Sequence, residues 1–303
     1  MSVPQIHPES PYYTVLMALR QHLRVAGLAE GTRKNYLRAA LALLMWTGKL
    51  AHEITEQDIS NYFHYLTFER KVARSTHTIA LCAARSLFFG VLRRDNWLTL
   101  EIARPLRQRR LPVVLTKEEV RRILAEVKMP MYRTCLKLIY TCGLRITEGT
   151  QVRISDIDGE RRLLFVHGKR SKDRYVPISE TVLEELRQVW MCHHCMGWIF
   201  PSSQSLTPVQ GAKDEVDVKP VPASTILAAF KAAVKTSGVT KKASVRTLRH
   251  SYATHLTETG TPLQVIQRLL GHDSPRTTTI YSHITDVAMR PAIEEINRMG
   301  ADL

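Results

Sequence analysis

A mainly α-helical fold in two domains, with a small β-sheet in the second, is predicted by three features of the sequence. Its 303 residues suffice for about two domains, each able to bury a core without metals or disulfides. Residues 11 to about 103 repeat apolar side chains at helical spacing in four blocks, after which a stretch rich in proline and arginine has no period. Beyond that stretch helical periodicity returns, interrupted by two alternating runs of strand type. The expected boundaries are 1–108 for a helical domain, 109–114 for a basic linker and 115–303 for an α+β domain with a C-terminal helix.

Each element has a local reason. The second block opens near Thr32, closes at Gly48 and carries Tyr36, Ala40 and Leu44 on its apolar side, matching a polar N-cap and a glycine after the last turn. The third begins at Thr55, with Asp58 three residues on, and buries Ile59, Tyr62, Phe63 and Leu66. The fourth runs from Ser75 through Ile79, Cys82 and Leu87 to Leu92. Past the linker segment Arg104 to Pro112, Thr116-Lys117-Glu118-Glu119 has the form of a capping box. Leu136, Leu138 and Ile139 then mark a buried helix that Gly143 breaks. Residues 162–167 and 174–178 alternate as two strands around the polar turn Gly168 to Asp173, and Trp198 to Pro201 reads as a short buried strand. A surface loop is expected over 202–222, with helical periodicity resuming at Ser224. Near the end Met289, Ile293, Ile296 and Met299 recur at near-helical spacing.

Charge narrows the function. Forty-three Lys and Arg face 28 Asp and Glu, a net charge of +15, distributed as +8 over residues 1–110 and +7 over the remainder. With 44% hydrophobic and 23% charged residues the chain is foldable and not a disordered polycation, so its expected partner is a polyanion, and nucleic acid foremost. Basic surface on both sides of a hinge would let the two domains close on a duplex, with Arg107, Arg109 and Arg110 of the linker tracking phosphates, and such binding is salt-sensitive. No window holds 18 consecutive apolar residues and Met1 to Ser10 lacks signal-peptide character, so no membrane partner and a cytoplasmic, nucleoid-associated location are expected. Five cysteines, an odd set, read as reduced thiols. Cys192-His193-His194-Cys195 is half of a zinc site, but no second pair follows at finger spacing, and neither metal nor cofactor is expected.

A tyrosine hydroxyl, several cations able to grip phosphate and no acidic metal-binding cluster would together suffice for attack on a phosphodiester. That set is present: Gly143-Leu144-Arg145-Ile146-Thr147-Glu148, Thr247-Leu248-Arg249-His250, Leu270-Gly271-His272 and Tyr281-Ser282-His283. In their order these stretches resemble the tyrosine recombinase, or phage integrase, family, whose pattern runs Gly-Leu-Arg-x-x-Glu, a hairpin Gly-Lys, His-x-Leu-Arg-His, Leu-Gly-His and Tyr-x-His. Four of the five blocks match closely, and the intervals of 23 residues from Arg249 to His272 and 9 from His272 to Tyr281 agree with the family. The resemblance spans nearly the whole chain and implies a helical DNA-clamping domain followed by an α+β catalytic domain.

It also implies roles. Arg145 and Arg249 would clamp the non-bridging oxygens of the scissile phosphate, and Tyr281 would attack phosphorus to leave a 3′-phosphotyrosyl link and a free 5′-hydroxyl. Lys169, at the tip of the expected hairpin, would protonate the departing 5′-oxygen, with Arg170 and Lys172 as candidate DNA contacts. His272 would donate to a phosphate oxygen or position the nucleophile. Glu148 would orient the local backbone and arginine geometry, and His250 and His283 are read as supporting polar groups. One position departs from the pattern: Arg246 stands three residues before the second arginine, where the family usually carries histidine. An arginine donates to phosphate but cannot accept the tyrosine proton, so Arg246 is expected as a third phosphate donor, and either the base is another group, with His272, water and DNA as the candidates, or activity is reduced.

The resemblance implies a site-specific recombinase acting on double-stranded DNA at a defined recombination site and self-associating as a tetramer in the synapse; in the family the C-terminal helix docks on a neighbour, and the sequence leaves open whether it does so here or packs on its own domain. Two alternatives stay open: a catalytically weak or silent DNA-binding accessory protein, and a type IB topoisomerase. The target sequence and biological errand are not legible, because base readout depends on groove contacts and DNA deformability.

Overall fold

The computed structural model describes residues 7–94, 113–168, 173–202, 218–271 and 286–301, with side chains from residue 292 in the last segment. The chain divides into two compact units, Met1–Arg110 and Leu111–Leu303.

The first unit is helical. Helices α1 (Tyr13–Val25), α2 (Glu30–Thr47), α3 (Glu56–His64) and α4 (Arg74–Arg85) correspond to the four blocks. Gly48 closes α2 in the left-handed conformation at φ 64°, where a side chain would be strained. Thr55 caps α3 through a full capping box with Asp58, whose carboxyl is held down at about 2 by Lys49 and by the Thr55 bonds. Both α3 and α4 continue as π-helical turns, Tyr65–Glu69 and Ser86–Val91, with bonds such as Arg70 N to Tyr65 O. The single regular helix expected over 75–92 is thus two forms, the widened turn bringing both Leu87 and Phe88 into the core. Leu16, Leu19 and Leu23 of α1 and Leu37, Ala40 and Leu44 of α2 complete that core.

The second unit opens with α5 (Lys117–Ala125), capped by Thr116 and Glu119 as its sequence dictates, and α6 (Pro130–Thr141). A single turn, α7 (Ile146–Thr150), leads to a three-stranded antiparallel sheet in the order β1 (Ile157–Asp158), β2 (Leu163–Val166), β3 (Arg174–Pro177). The sequence showed β2 and β3; β1 has only two residues and no readable alternation. Then follow α8 (Glu180–Met191), α9 (Ala223–Thr236), α10 (Val245–Glu258), α11 (Leu263–Leu270) and α12 (Asp286–Ala301). Trp198 to Pro201 is not a strand: Trp198 and Pro201 form only isolated bridges, to Arg153 and Pro220, while Ile199 and Phe200 are buried as expected.

Helix α10 packs on α6 and α11, and α12 packs on its own unit against α6, α8 and α11. Ala292, Ile296 and Met299 enter the core, and the buried Glu295 pairs with Lys117 and Arg298. Among the described residues no helix is long and apolar enough to cross a membrane.

Each unit holds a buried histidine. His77 in α4 is 1% exposed, lies tilted against the Phe63 ring with centroids 5.0 Å apart and leaves Nδ1 without a partner among the described residues, and His255 in α10 shares a 2.8 Å bond with the Tyr140 hydroxyl. Burial lowers the pKa of both. The folded state therefore takes up fewer protons than the unfolded one as pH falls through the ordinary histidine value, so stability is full above it and lost below. Chemical denaturation between about pH 7 and 5 is expected to show stability falling by up to about 1.4 kcal/mol per pH unit for each histidine, and His77→Phe should flatten the slope of the first unit.

Candidate active site

The turn between α6 and α7 sets the site. Gly143 ends α6 with φ 60°, and Leu144 N bonds back to Ile139 O, the closure that a left-handed residue permits. Arg145 follows as the N-cap of α7 and Glu148 as its third residue, so the Arg-x-x-Glu spacing is that of a helix start: Glu148 Oε2 accepts Arg145 N at 2.8 Å. Glu148 also accepts Arg145 Nη1 at 2.6 Å.

Two more guanidinium groups reach the same carboxylate. Arg174, first residue of β3, donates Nη2 to Glu148 Oε2 at 2.9 Å and Nη1 to Oε1 at 3.3 Å, and Arg249 Nη1 stands 3.7 Å from Oε2. Main-chain carbonyls fix what the carboxylate does not. Arg249 donates to Gly143 O (2.6 Å) and Leu270 O (2.5 Å), Arg174 Nε to Leu269 O (2.7 Å), and Arg145 Nη2 to Gly271 O (3.1 Å). Leu269 and Leu270 lie at the C-terminal end of α11 and Gly271 caps it, where unpaired carbonyls and the helix dipole favour cations.

The electrostatics follow from this crowding. Burial raises the Glu148 pKa, but hydrogen bonds from Arg174 and Arg145 and the Arg174 charge outweigh it, and the net shift is downward. Burial, with repulsion from Arg145 behind it, pushes Arg249 down to about 10, which leaves it charged at neutral pH. Among the described residues, three guanidinium groups thus share one carboxylate, and Arg145, with 36% of its side chain exposed, is the most open of them.

Arg246 and His250 lie one turn apart on α10, Arg246 exposed and His250 half-buried. With Arg249, Thr247, Ser244, Ala253, Val113 and Leu270 they line a cleft of about 480 Å³. A second cleft, about 470 Å³, runs from Arg145 and Glu148 past Arg153, Asp156, Phe165 and His167 to Trp198. Of the residues expected from sequence, the fold brings together Arg145, Glu148 and Arg249, with Arg246 and His250 beside them. Arg107, Arg109, Arg110, Lys169, Arg170, Lys172, His272, Tyr281 and His283 lie outside the described residues. Arg174 was not anticipated. Its signal is parity: it shares a strand face with the fully buried Val176, and an arginine on an inward face requires a partner.

At Cys192 to Cys195 both ring nitrogens of His193 are engaged, Nε2 with Ile199 O at 3.1 Å and Nδ1 with Cys195 N at 3.0 Å. Among the described residues no group of three or more His, Cys, Asp or Glu is arranged to hold a metal ion.

The sequence profile of the phage integrase family matches residues 113–287, over half of the chain, and that of the phage integrase N-terminal SAM-like domain matches residues 15–97. The chain belongs to the phage integrase family. This integrase-family chain is 33% identical over 306 residues to an integrase/recombinase of Escherichia coli, covering 90% of each. It is 29% identical over 283 residues to the tyrosine recombinase XerD of Oceanobacillus iheyensis, covering 87% of this chain and 91% of that one. In fold it is similar to a lambda integrase dimer bound to a COC′ core site, with TM-score 0.69 and 17% identity over 92% of this chain and 76% of that one. It is also similar to a lambda integrase tetramer bound to a Holliday junction, with TM-score 0.67 and 17% identity over 90% and 80%. The mainly helical two-domain architecture expected from sequence is that of the tyrosine recombinases. The enzyme is a DNA breaking-and-rejoining recombinase, and its family works through a phosphotyrosyl intermediate.

Proposed function

We propose that this recombinase acts at a defined site in double-stranded DNA, assembling there as a tetramer, with Arg145 and Arg249 on the scissile phosphate and Tyr281 as the nucleophile. The observation that carries this reading is the unequal charge count at Glu148: three guanidinium groups against one carboxylate among the described residues. The surplus favours an anion beside Arg145, and a phosphate whose charge builds in the transition state is stabilised by such a fixed fork of donors. Arg174, 8% exposed, anchors the carboxylate from behind. Arg246 serves as a third phosphate donor at the cleft, and Lys169 protonates the 5′-oxygen, with His272 donating to a phosphate oxygen. Residues 1–108 clamp the duplex, with Arg107 at the end of that domain and Arg109 and Arg110 in the linker 109–114 tracking phosphates, and Arg170 and Lys172 add contacts from the hairpin. The setting is the cytoplasmic nucleoid.

The test is recovery of DNA covalently attached to the protein after denaturing lysis of expressing cells, followed by sequencing, with a nicked duplex supplied as a trap. Attachment at a recurring sequence that disappears in Tyr281→Phe is the expected result. Absence of any adduct above that variant would favour a catalytically silent DNA-binding protein, the alternative that the exposed Arg246 supports. Relaxation of supercoiled DNA by monomers without site preference would favour a topoisomerase.

A further inference from the structure

Every position that accepts a tyrosine proton in this site must compete with cations, and the position where the family pattern places a histidine holds Arg246, which has no lone pair to offer. Helix α10 supplies another candidate. His250 is four residues beyond Arg246, hence one turn along the same face, and its half-buried ring lines the same cleft as Arg246 and Arg249. Among the described residues the ring has no hydrogen-bond partner, whereas His255 on the same helix is tied to Tyr140 and His193 has both nitrogens engaged. We infer that His250 is the proton acceptor for the attacking tyrosine, taking the part that Arg246 cannot. This rests on the recombinase site proposed above.

Among the described residues the charged groups facing His250 in the cleft are Arg246 and Arg249 of its own helix. Leu270 from α11 and Val113 from the segment before α5 contribute apolar surface, and behind Arg249 stand Glu148, Arg145 and Arg174. A tyrosine hydroxyl that enters this cleft meets two donors for a phosphate and one imidazole that has no hydrogen-bond partner among the described residues. As the tyrosyl oxygen bonds to phosphorus its proton passes to an imidazole nitrogen. The bond from phosphorus to the 5′-oxygen breaks, and that oxygen leaves as a hydroxyl with a proton from Lys169. Rejoining runs both transfers backwards, so the imidazolium returns its proton to the tyrosine.

The experiment is single-turnover cleavage by the full-length protein of a nicked duplex carrying the sequence recovered from the adducts, measured between about pH 5 and 8, where imidazole ordinarily exchanges its proton. Wild-type cleavage of this duplex, lost in Tyr281→Phe, tests the underlying reading by itself. His250→Gln is expected to cleave about 100-fold or more slowly, as loss of a general base does, and to lose the acid limb of the wild-type profile. Its duplex affinity and unfolding temperature should match wild type, since the ring is half-exposed. Arg246→His in the His250→Gln background moves an imidazole back one turn and is expected to restore rate and limb together. Cleavage by His250→Gln within about threefold of wild type, persistence of the acid limb, a loss accounted for by weaker duplex binding, or a double variant no faster than His250→Gln would each overturn the assignment.

Discussion

Glu148→Gln is expected to cost the second unit about 3–5 kcal/mol, the usual price of removing one partner from a buried ionic cluster. The side chain is 5% exposed and carries the only carboxylate, among the described residues, that pairs with Arg145, Arg174 or Arg249. Glutamine keeps the shape but presents an amide N–H₂ where two guanidinium groups donate, so one donor pair must separate or lose its partner. The measurement is urea unfolding followed by the fluorescence of Trp190 and Trp198 in a background where Trp46 and Trp97 are replaced by phenylalanine, so that the signal reports on the second unit. The midpoint should fall while the slope stays constant. Added sulfate should recover part of the loss, because an anion that binds only the folded form stabilises it by mass action. A change below about 1 kcal/mol would mean that the carbonyls of Gly143, Leu269, Leu270 and Gly271 hold the arginines unaided.

Gly143→Ala is the second large effect. At φ 60° a β-carbon is strained, and it would also lie 2.5 Å from Cδ1 and Cε1 of Tyr252 and 3.0 Å from Leu270 Cδ2. The left-handed conformation costs about 1–2 kcal/mol and overpacking of a filled core about 1–3 more. Tyr252 is fully buried and has little room to retreat. Any backbone shift moves Gly143 O from its 2.6 Å bond with Arg249, so cleavage should fall with stability. Gly238→Ala separates the two causes: at φ 69° it has the same backbone handicap but nothing within 4 Å of the added carbon. Thermal unfolding should show Gly238→Ala losing about 1 kcal/mol and Gly143→Ala losing several times that. Equal losses would show that the ring of Tyr252 yields and that only the dihedral angle matters.

Both predictions concern residues whose importance was partly visible before any coordinates. Arg145 and Glu148 could be read because the helix start that fixes them is local, an N-cap and its third residue, and local geometry is written in spacing. Arg249 was legible through its motif. Arg174 was not, because its partner lies 26 residues away and the pairing is created by β3 meeting α7. His250 could be placed in order but not in role, since a histidine on a helix has no function until the face it lines is known.

What the sequence by itself determined is whatever is periodic or local: the four helices of the first unit, the caps at Thr55 and Thr116, the left-handed stops at Gly48 and Gly143, strands β2 and β3, the basic charge and the ordered motifs that assign the family. Tertiary structure decided the rest. It gathered three arginines onto one carboxylate, set them against the carbonyl end of α11, put Arg246 and His250 into one cleft and packed α12 on its own unit. The physical reason is range. Backbone hydrogen bonds and helical periodicity act within a few residues, whereas a buried charge can be balanced only by groups that folding brings to it from distant parts of the chain.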